Sequence, residues 1–195
     1  MKIFRWSLEE LKSLRAVIVT GLLIALSMVI ESFTINLGFA KINFAFLAIA
    51  AIGMLYGPSV SLFAGAVCDV LGYMVAPDGA FFPLYTLIGA AQGLIYGLIA
   101  YRRIPTRTGR AFDTEMIIRL VAARIADVLF INLICNTAAN FHYGFLSDRT
   151  LGAAIGARVA KNLLELPIDI VLIAAVLTAV LKAYETVFGK TRKPA

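Results

Sequence analysis

Long apolar runs, separated by short polar or Gly/Pro-containing breaks, fill the chain from residue 16 to residue 184. Runs of this length predict helices, and the breaks at Gly57-Pro58, at Pro77-Asp78-Gly79 and in the polar segment 102–114 mark their ends. We therefore predict an all-α fold in a single domain, 1–195. Its six helices are placed at about 16–33, 43–56, 59–75, 81–101, 115–143 and 151–184.

Composition places these helices in a membrane. Of the 195 residues, 61% are hydrophobic and 15% are charged, and the mean hydropathy is +0.87. Soluble domains are about 45–50% apolar and about 25% charged. This chain lacks the polar material for a water-facing surface, so we expect an integral membrane bundle of six transmembrane helices.

Basic residues are concentrated on one side of the predicted bundle. They lie at the N-terminus, in the loop after helix 4 and in the C-terminal tail: Lys2, Arg5, Lys12, Arg15, Arg102, Arg103, Arg107, Arg110, Lys190, Arg192 and Lys193. The other side receives little beyond Lys41 and Arg149. The positive-inside rule then predicts both termini in the cytoplasm and a multi-pass protein of the cell membrane. These cations serve as anchors to membrane lipid, so nucleic-acid binding is not expected.

Two segments depart from simple spans. Helix 2 is about 21 Å long at 1.5 Å per residue, which is shorter than a hydrocarbon core of about 30 Å. The segment before it, residues 34–41, alternates in polarity instead of following a helical period. An irregular backbone at that depth is tolerated only where protein covers it or where it lines a cavity. We expect this segment to be an outward-facing loop that dips over a pocket.

Polar residues form two stripes in the last two helices. One stripe, with spacings of three, four and four, consists of Arg158, Lys161, Glu165 and Asp169, with Asn162 at its border. The other consists of Arg124, Asn132, Asn136 and Asn140, with Asp127 beside it. Ionisable residues in spanning helices are costly and usually face a partner or a cavity. The stripes therefore indicate a solute site loaded from the outer face, or else ion pairs and asparagine contacts that hold the helices together.

Aromatic and histidine side chains lie at the same outer level. His142 is the only histidine and is next to Tyr143, while Phe82 and Tyr85 open helix 4. Two interpretations are open for each of these side chains: it contacts a ligand, or it lies at the level of the lipid headgroups. Asp69 in helix 3 needs a partner, for which Arg124 is the candidate.

Motifs for catalysis and cofactor binding are absent from the sequence. It has no Ser/His/Asp or Cys/His arrangement, no HExxH and no phosphate-binding glycine loop. Cys68 and Cys135 lie in apolar runs without CxxC spacing, which predicts neither a disulfide framework nor a metal site. We expect no cofactor, no metal and no enzyme activity, and any coupled ATP hydrolysis must belong to another subunit.

The chain resembles the substrate-binding S components of energy-coupling factor (ECF) vitamin transporters, and within them the folate family. The resembling segments run in order through the helices: 53–58 (GMLYGP), 69–72 (DVLG), 77–83 (PDGAFFP), 93–97 (GLIYG), 136–137 with 143–144, and 158–162 (RVAKN) with Pro167. The likeness extends from helix 1 to helix 6.

This resemblance implies capture of a vitamin from outside, followed by docking on a membrane T subunit that two ATPase subunits drive. S components contact the T subunit through small residues of their helix 1. The matching positions here are Gly21 and Ala25, whose small side chains permit close helix contact. Ordinary packing within the bundle is the alternative role for them.

Folate is the vitamin that the resemblance favours, and it carries a planar pterin and two carboxylates. Charge-assisted hydrogen bonds to a carboxylate are the role expected for Arg158 and Lys161. Hydrogen bonds to the pterin edge are the role expected for Asn136, Asn140 and Asn162. Phe82 or Tyr85 is expected to stack on the pterin ring. Pantothenate or another anionic vitamin is the alternative ligand. Two alternatives from other classes are a small membrane enzyme and a packing or assembly protein without a solute site.

Overall fold

The computed structural model describes residues 2–32, 35–36, 41–42, 44–75, 80–103 and 114–188. The predicted turn at 77–79, most of the loop after helix 4 and the basic tail lie outside these ranges. The α-helices are α1 Lys2–Glu10, α2 Leu14–Ser32, α3 Phe46–Tyr56, α4 Pro58–Val75, α5 Pro83–Ala100, α6 Thr114–Ala126, α7 Asn136–His142, α8 Asp148–Leu172 and α9 Thr178–Phe188. Two π-helical segments, Asp127–Cys135 and Ile173–Leu177, join α6 to α7 and α8 to α9.

The fold is helical throughout the described ranges except for one short β-pairing. Strand β1, Ile35–Asn36, runs antiparallel to β2, Lys41–Ile42, and places Ile35 opposite Ile42 and Asn36 opposite Lys41. This hairpin overlaps the segment 34–41, whose polarity alternates in the sequence. It connects α2 to α3.

Among the described residues, four helical stretches are long and apolar enough to cross a membrane. They are Leu14–Ser32, Pro58–Val75, Pro83–Ala100 and the continuous Thr150–Phe188, which extends over 39 residues. These four establish a multi-pass arrangement. The stretch from α6 through α7, residues 114–142, is also helical without interruption and carries one of the two polar stripes.

The short helix α3 lies at the centre of the bundle. All eleven of its residues are buried. A helix that is apolar on every side is stable when protein surrounds it completely. Its length therefore does not have to match the bilayer, which accounts for the short second run in the sequence. Helix α3 ends at Gly57, where φ is 82°, a conformation that glycine adopts without steric cost, and Pro58 begins α4.

Close contact between α4 and α5 depends on glycine. A Cβ atom on Gly93 would overlap the carbonyl oxygen of Ser61, and one on Gly65 would overlap that of Gly89. The Ser61 hydroxyl donates to the carbonyl oxygen of Gly93 over 2.7 Å. Small residues let helix backbones approach this closely in membranes, where dispersion and hydrogen bonding drive association.

Helix α1 is an element that the sequence analysis did not predict. It packs against the end of the bundle where α3 ends and α4 begins, through a hydrogen bond of 2.7 Å from the Ser7 hydroxyl to the carbonyl oxygen of Tyr56. The ends of α2 (at Leu14), α5 (at Ala100) and α9 (at Phe188) lie at this same end. We call it the α1 end of the bundle.

Candidate functional site

A cavity of about 810 Å³ lies between the helices at the end opposite α1. Its lining includes the last residues of α2 and α4, the residue that precedes α5 and the C-terminal part of α7, represented by Ser32, Val75, Phe82 and Asn140. Binding sites for small molecules are typically clefts of about 300–1,000 Å³. This cavity is large enough for a solute of several hundred daltons.

An aromatic cluster lies at one side of the cavity. The Phe82 ring centroid is 4.3 Å from that of Tyr143, 5.5 Å from that of Phe145 and 6.3 Å from that of Tyr85. Phe82, Tyr85 and Phe145 line the cavity. Ring faces and edges at these separations are suited to stacking on a planar heterocycle.

The predicted asparagine stripe faces the cavity. Asn132, in the first π-helical segment, lines it together with Asn136 and Asn140 of α7. The Tyr85 hydroxyl donates to Oδ1 of Asn140, which fixes the orientation of that amide and leaves its NH₂ group as a donor. π-Helical turns are rare in proteins as a whole, and those that do occur are often found at functional sites.

The predicted cations of α8 have different surroundings. Lys161 lines the cavity, and its Nζ lies 3.5 Å from Oε1 of Glu165, which also lines it. Arg158 is half-buried and is not among the described lining residues. Its Nη1 donates to the main-chain carbonyl oxygen of Asn132 over 3.0 Å. The structure thus brings Arg158 next to the asparagine stripe but not to the cavity surface.

A buried ion network joins α6 to α8 beside the cavity. Arg124 donates from Nε and Nη2 to Oδ2 of Asp169, at 3.0 and 2.8 Å, and from Nη1 to Oδ2 of Asp127, at 2.7 Å. The guanidinium lies over the Phe46 ring, 3.9 Å from its centroid. Both Arg124 and Phe46 line the cavity. Two acidic side chains thus share one guanidinium in this network.

The predicted pairing of Asp69 with Arg124 is wrong. Asp69 Oδ2 accepts a hydrogen bond of 2.6 Å from the Thr86 hydroxyl of α5. Arg124 instead donates to Asp127, three residues further along the chain, and to Asp169 of α8. Asp69 lines the cavity, as does Glu31 of α2.

Gln92 is a lining residue that the sequence analysis missed. Its Nε2 donates to Oδ2 of Asp127 over 3.2 Å. A carboxylate oxygen only accepts, so Asp127 holds the amide with its NH₂ toward the ion network. The Gln92 carbonyl oxygen remains an acceptor for a ligand. The sequence signal was available, because an isolated polar residue in a spanning helix usually faces a partner or a cavity.

Besides Arg158, two further predicted ligand residues lie away from the described lining. Asn162 is buried, and His142 is exposed with its ring centroid 5.2 Å from that of Tyr143. Their roles stay predictions. Gly21 and Ala25 are exposed on α2, and a Cβ atom on Gly21 would meet no atom within 4 Å. That part of α2 is available to another protein.

The side chains around the cavity include aromatic rings, amides and charged groups. Within the described ranges, no group of three or more His, Cys, Asp or Glu side chains is placed to hold a metal ion. A helical membrane bundle with such a cavity at one end is the architecture of a solute-binding membrane protein.

Comparison with known proteins gives the family. Residues 15–177 match the family described as "ECF transporter, substrate-specific component". The chain belongs to this family of transport subunits, and it is therefore an S component, as the resemblance in its sequence implied.

Its relatives include folate transporters. The chain is 28% identical over 165 residues to the folate transporter FolT of Leuconostoc mesenteroides subsp. mesenteroides, covering 85% of each chain. It is 29% identical over 164 residues to FolT of Clostridium novyi (strain NT), covering 84% of this chain and 88% of that one. A crystal structure of FolT bound with folic acid superposes with a TM-score of 0.71 at 25% identity, over 86% of this chain and 95% of that chain.

Proposed function

We propose that this protein is the folate-binding S component of an ECF importer. The observation that carries the proposal is one cavity in which an aromatic cluster, a stripe of amides and a lysine lie together. The aromatic cluster and amides suit the pterin, which is flat and has hydrogen-bonding edges. Lys161, with Arg158 near it, suits the glutamyl carboxylates. Similarity to folate transporters and to FolT bound with folic acid supports this ligand.

The site residues that we propose for folate follow from their positions. Phe82 and Tyr85 stack on the pterin, and Asn136 and Asn140 bond to its edge. Lys161 meets a carboxylate directly. Arg158 reaches it after a side-chain rotation away from the Asn132 carbonyl oxygen. Asn162 and His142 act on folate indirectly, through neighbouring residues, because neither is among the described residues that line the cavity.

Calorimetric titration of the purified protein tests the ligand. We expect folate and 5-formyltetrahydrofolate to bind with nanomolar affinity, about −12 kcal/mol, and pantothenate not to compete. Tight binding of pantothenate and none of folate would reassign the vitamin while keeping the S component. Binding of none of the three at micromolar concentration would refute the proposed function.

We infer six membrane crossings with both termini in the cytoplasm of a single-domain protein of the cell membrane. Basic residues at the α1 end, among them Arg15 beside Phe188 and Arg103 beside Glu10, support this orientation through the positive-inside rule. The cavity, at the opposite end, then opens to the outside, where a scarce vitamin is captured. Green fluorescent protein fused to either terminus fluoresces only in the cytoplasm, and the loss of fluorescence from either fusion would contradict the orientation.

We further propose that the T subunit docks on α2 at Gly21 and Ala25, and that ATP hydrolysis takes place in two partner ATPase subunits. The exposed position of both residues supports this docking site. Neighbouring α2 side chains, Leu22 at 65% exposure among them, offer apolar area beside the small residues. Co-expression with a T subunit and its ATPases, followed by affinity purification, tests the assembly.

A further inference from the structure

Helix α1 is fixed to the bundle by one serine that caps another helix. The Ser7 hydroxyl accepts hydrogen bonds from the backbone amides of Ser59 at 2.9 Å and Val60 at 3.2 Å, while it donates to Tyr56. The amides in the first turn of a helix have no partner within that helix. Ser7 supplies the partner for two amides of α4 from a helix about fifty residues earlier in the chain.

Further contacts hold α1 across the end of the bundle. The Ser59 hydroxyl donates to the carbonyl oxygen of Phe4 over 3.2 Å. Glu10 pairs with Arg103, just beyond α5, at 2.5 Å between Oε1 and Nη2. The spanning helix α2 begins at Leu14, four residues after α1 ends. Because α1 contacts the ends of several helices at once, it lies at the level where the bundle meets the membrane surface.

The side of α1 away from these contacts combines apolar and basic side chains. Phe4 and Leu8, one turn apart, are 41% and 49% exposed. Three cations on this helix and the following turn are exposed, namely Lys2, Arg5 and Lys12. The side chain of Arg5 is 78% exposed, and its pair with Glu9 is long, at 3.8 Å. Glu10 is already neutralised by Arg103, so this side carries a positive excess.

We propose that α1 is an interfacial helix that binds anionic phospholipid. Phe4 and Leu8 enter the boundary between headgroups and acyl chains, and Arg5 and Lys12 contact lipid phosphates. A short helix with apolar and basic residues, lying in the plane of the interface, is suited to this role. Basic residues at a membrane surface are attracted to anionic lipid. Leu14, the first residue of the spanning helix α2, is 74% exposed and lies four residues after α1 ends, so the apolar region of the membrane begins beside α1 and favours lipid as the occupant of its exposed side.

The protein contains its own reporter for this contact. Trp6, the single tryptophan of the chain, lies in α1 and is half-buried. In nanodiscs, its fluorescence is measured with brominated phosphatidylglycerol or brominated phosphatidylcholine at equal mole fraction. We expect stronger quenching by the anionic lipid. Equal quenching by both lipids would overturn the preference for anionic lipid, and quenching by neither would overturn the interfacial position.

A charge-removal variant assigns the preference to α1. In the double variant Arg5→Gln/Lys12→Gln, we expect the ratio of quenching by anionic to zwitterionic lipid to fall by about threefold or more. Lys182→Gln, which removes an exposed cation from α9, is the control and leaves the ratio unchanged. An unaltered ratio in the double variant would assign the preference elsewhere and overturn the proposal.

Folate binding, which this proposal does not involve, verifies that each variant is folded. A tryptophan signal that depends on protein concentration, and not on the lipid, would indicate a second copy as occupant instead.

Discussion

Arg158 on α8 donates from Nη1 to the carbonyl oxygen of Asn132, 3.0 Å away, in the first π-helical segment. The guanidinium has four further N–H groups, and no acidic side chain is among its described hydrogen-bond partners. In contrast, Arg124 is held by two carboxylates. Of these two arginines, Arg158 is the one whose charge is available to an anionic ligand, although it binds a carbonyl oxygen in the structure.

Replacing Arg158 tests that availability. We expect Arg158→Ala to weaken folate binding by about 2–5 kcal/mol, because a buried ligand carboxylate loses a charge-assisted partner. The loss measured by calorimetry should be much smaller for pteroate, which lacks the glutamyl carboxylates. Arg5→Ala, at an exposed arginine on α1, serves as the control and keeps wild-type affinity. An equal loss with both ligands would place Arg158 in a structural role.

Lys161 and Glu165 should affect folate binding in opposite directions. The two side chains are 3.5 Å apart and both line the cavity. Lys161→Met removes a cation and should weaken folate binding by about tenfold or more. Glu165→Gln removes the charge that offsets that cation, so affinity should rise by about threefold. If both variants weaken binding while thermal stability also falls, the pair acts only within the bundle.

Gln92 should affect recognition of the pterin. Its NH₂ is held by Asp127, which leaves its carbonyl oxygen to accept from a ligand N–H. We expect Gln92→Met, of similar size, to weaken folate binding by about 1–3 kcal/mol. Binding of p-aminobenzoylglutamate, which has no pterin, should not change between the variant and the wild type. Loss of both ligands to the same extent would show that Gln92 only supports the ion network.

The buried ion network should be important for stability. Arg124→Met leaves Asp127 and Asp169 buried without their cation, and we expect a loss of about 3–5 kcal/mol in the free energy of unfolding. The triple variant Arg124→Met/Asp127→Asn/Asp169→Asn removes all three charges and should recover much of this loss. Thermal unfolding in detergent measures both. Equal destabilisation by the single and triple variants would contradict an electrostatic origin.

Docking on the T subunit should be sensitive to bulk on α2. A Cβ atom at the exposed Gly21 would meet no atom of this chain within 4 Å, so Gly21→Leu should leave folding and folate affinity intact. We expect the variant to lose co-purification with the T subunit, because close helix approach requires small residues. Gly152→Leu is the matched control, since a Cβ atom at that exposed glycine of α8 also meets nothing within 4 Å. Intact co-purification of Gly21→Leu would move the docking surface elsewhere.

Periodicity in the sequence accounts for much of the bundle and for part of the site. The break at Gly57-Pro58 is where α3 gives way to α4, and the second apolar run forms a short helix, Phe46–Tyr56. The asparagines at spacings of four face one cavity, because residues at that spacing share a helical face. These features depend on local spacing, which the sequence displays directly.

Features that depend on contacts between distant segments could not be predicted in this way. Ser7 is an ordinary serine in a basic N-terminal segment, and only its contact with Tyr56, 49 positions away, shows that α1 is docked. The choice of partner for Asp69 was wrong for the same reason, because helix rotation decides whether Thr86 or Arg124 lies closer. Gln92 lies alone among apolar residues, which indicates a partner or a cavity, but the sequence does not show that the partner is Asp127.

Enclosure of α3 affects how the binding site responds to its surroundings. Lipid reaches the outer helices, which tilt or bend as bilayer thickness varies. Helix α3 is buried along its whole length, so a thicker or thinner bilayer exerts no direct force on it. Phe46, at its first turn, supports the guanidinium of Arg124 beside the cavity. That side of the cavity should keep one geometry in membranes of different thickness and in detergent micelles.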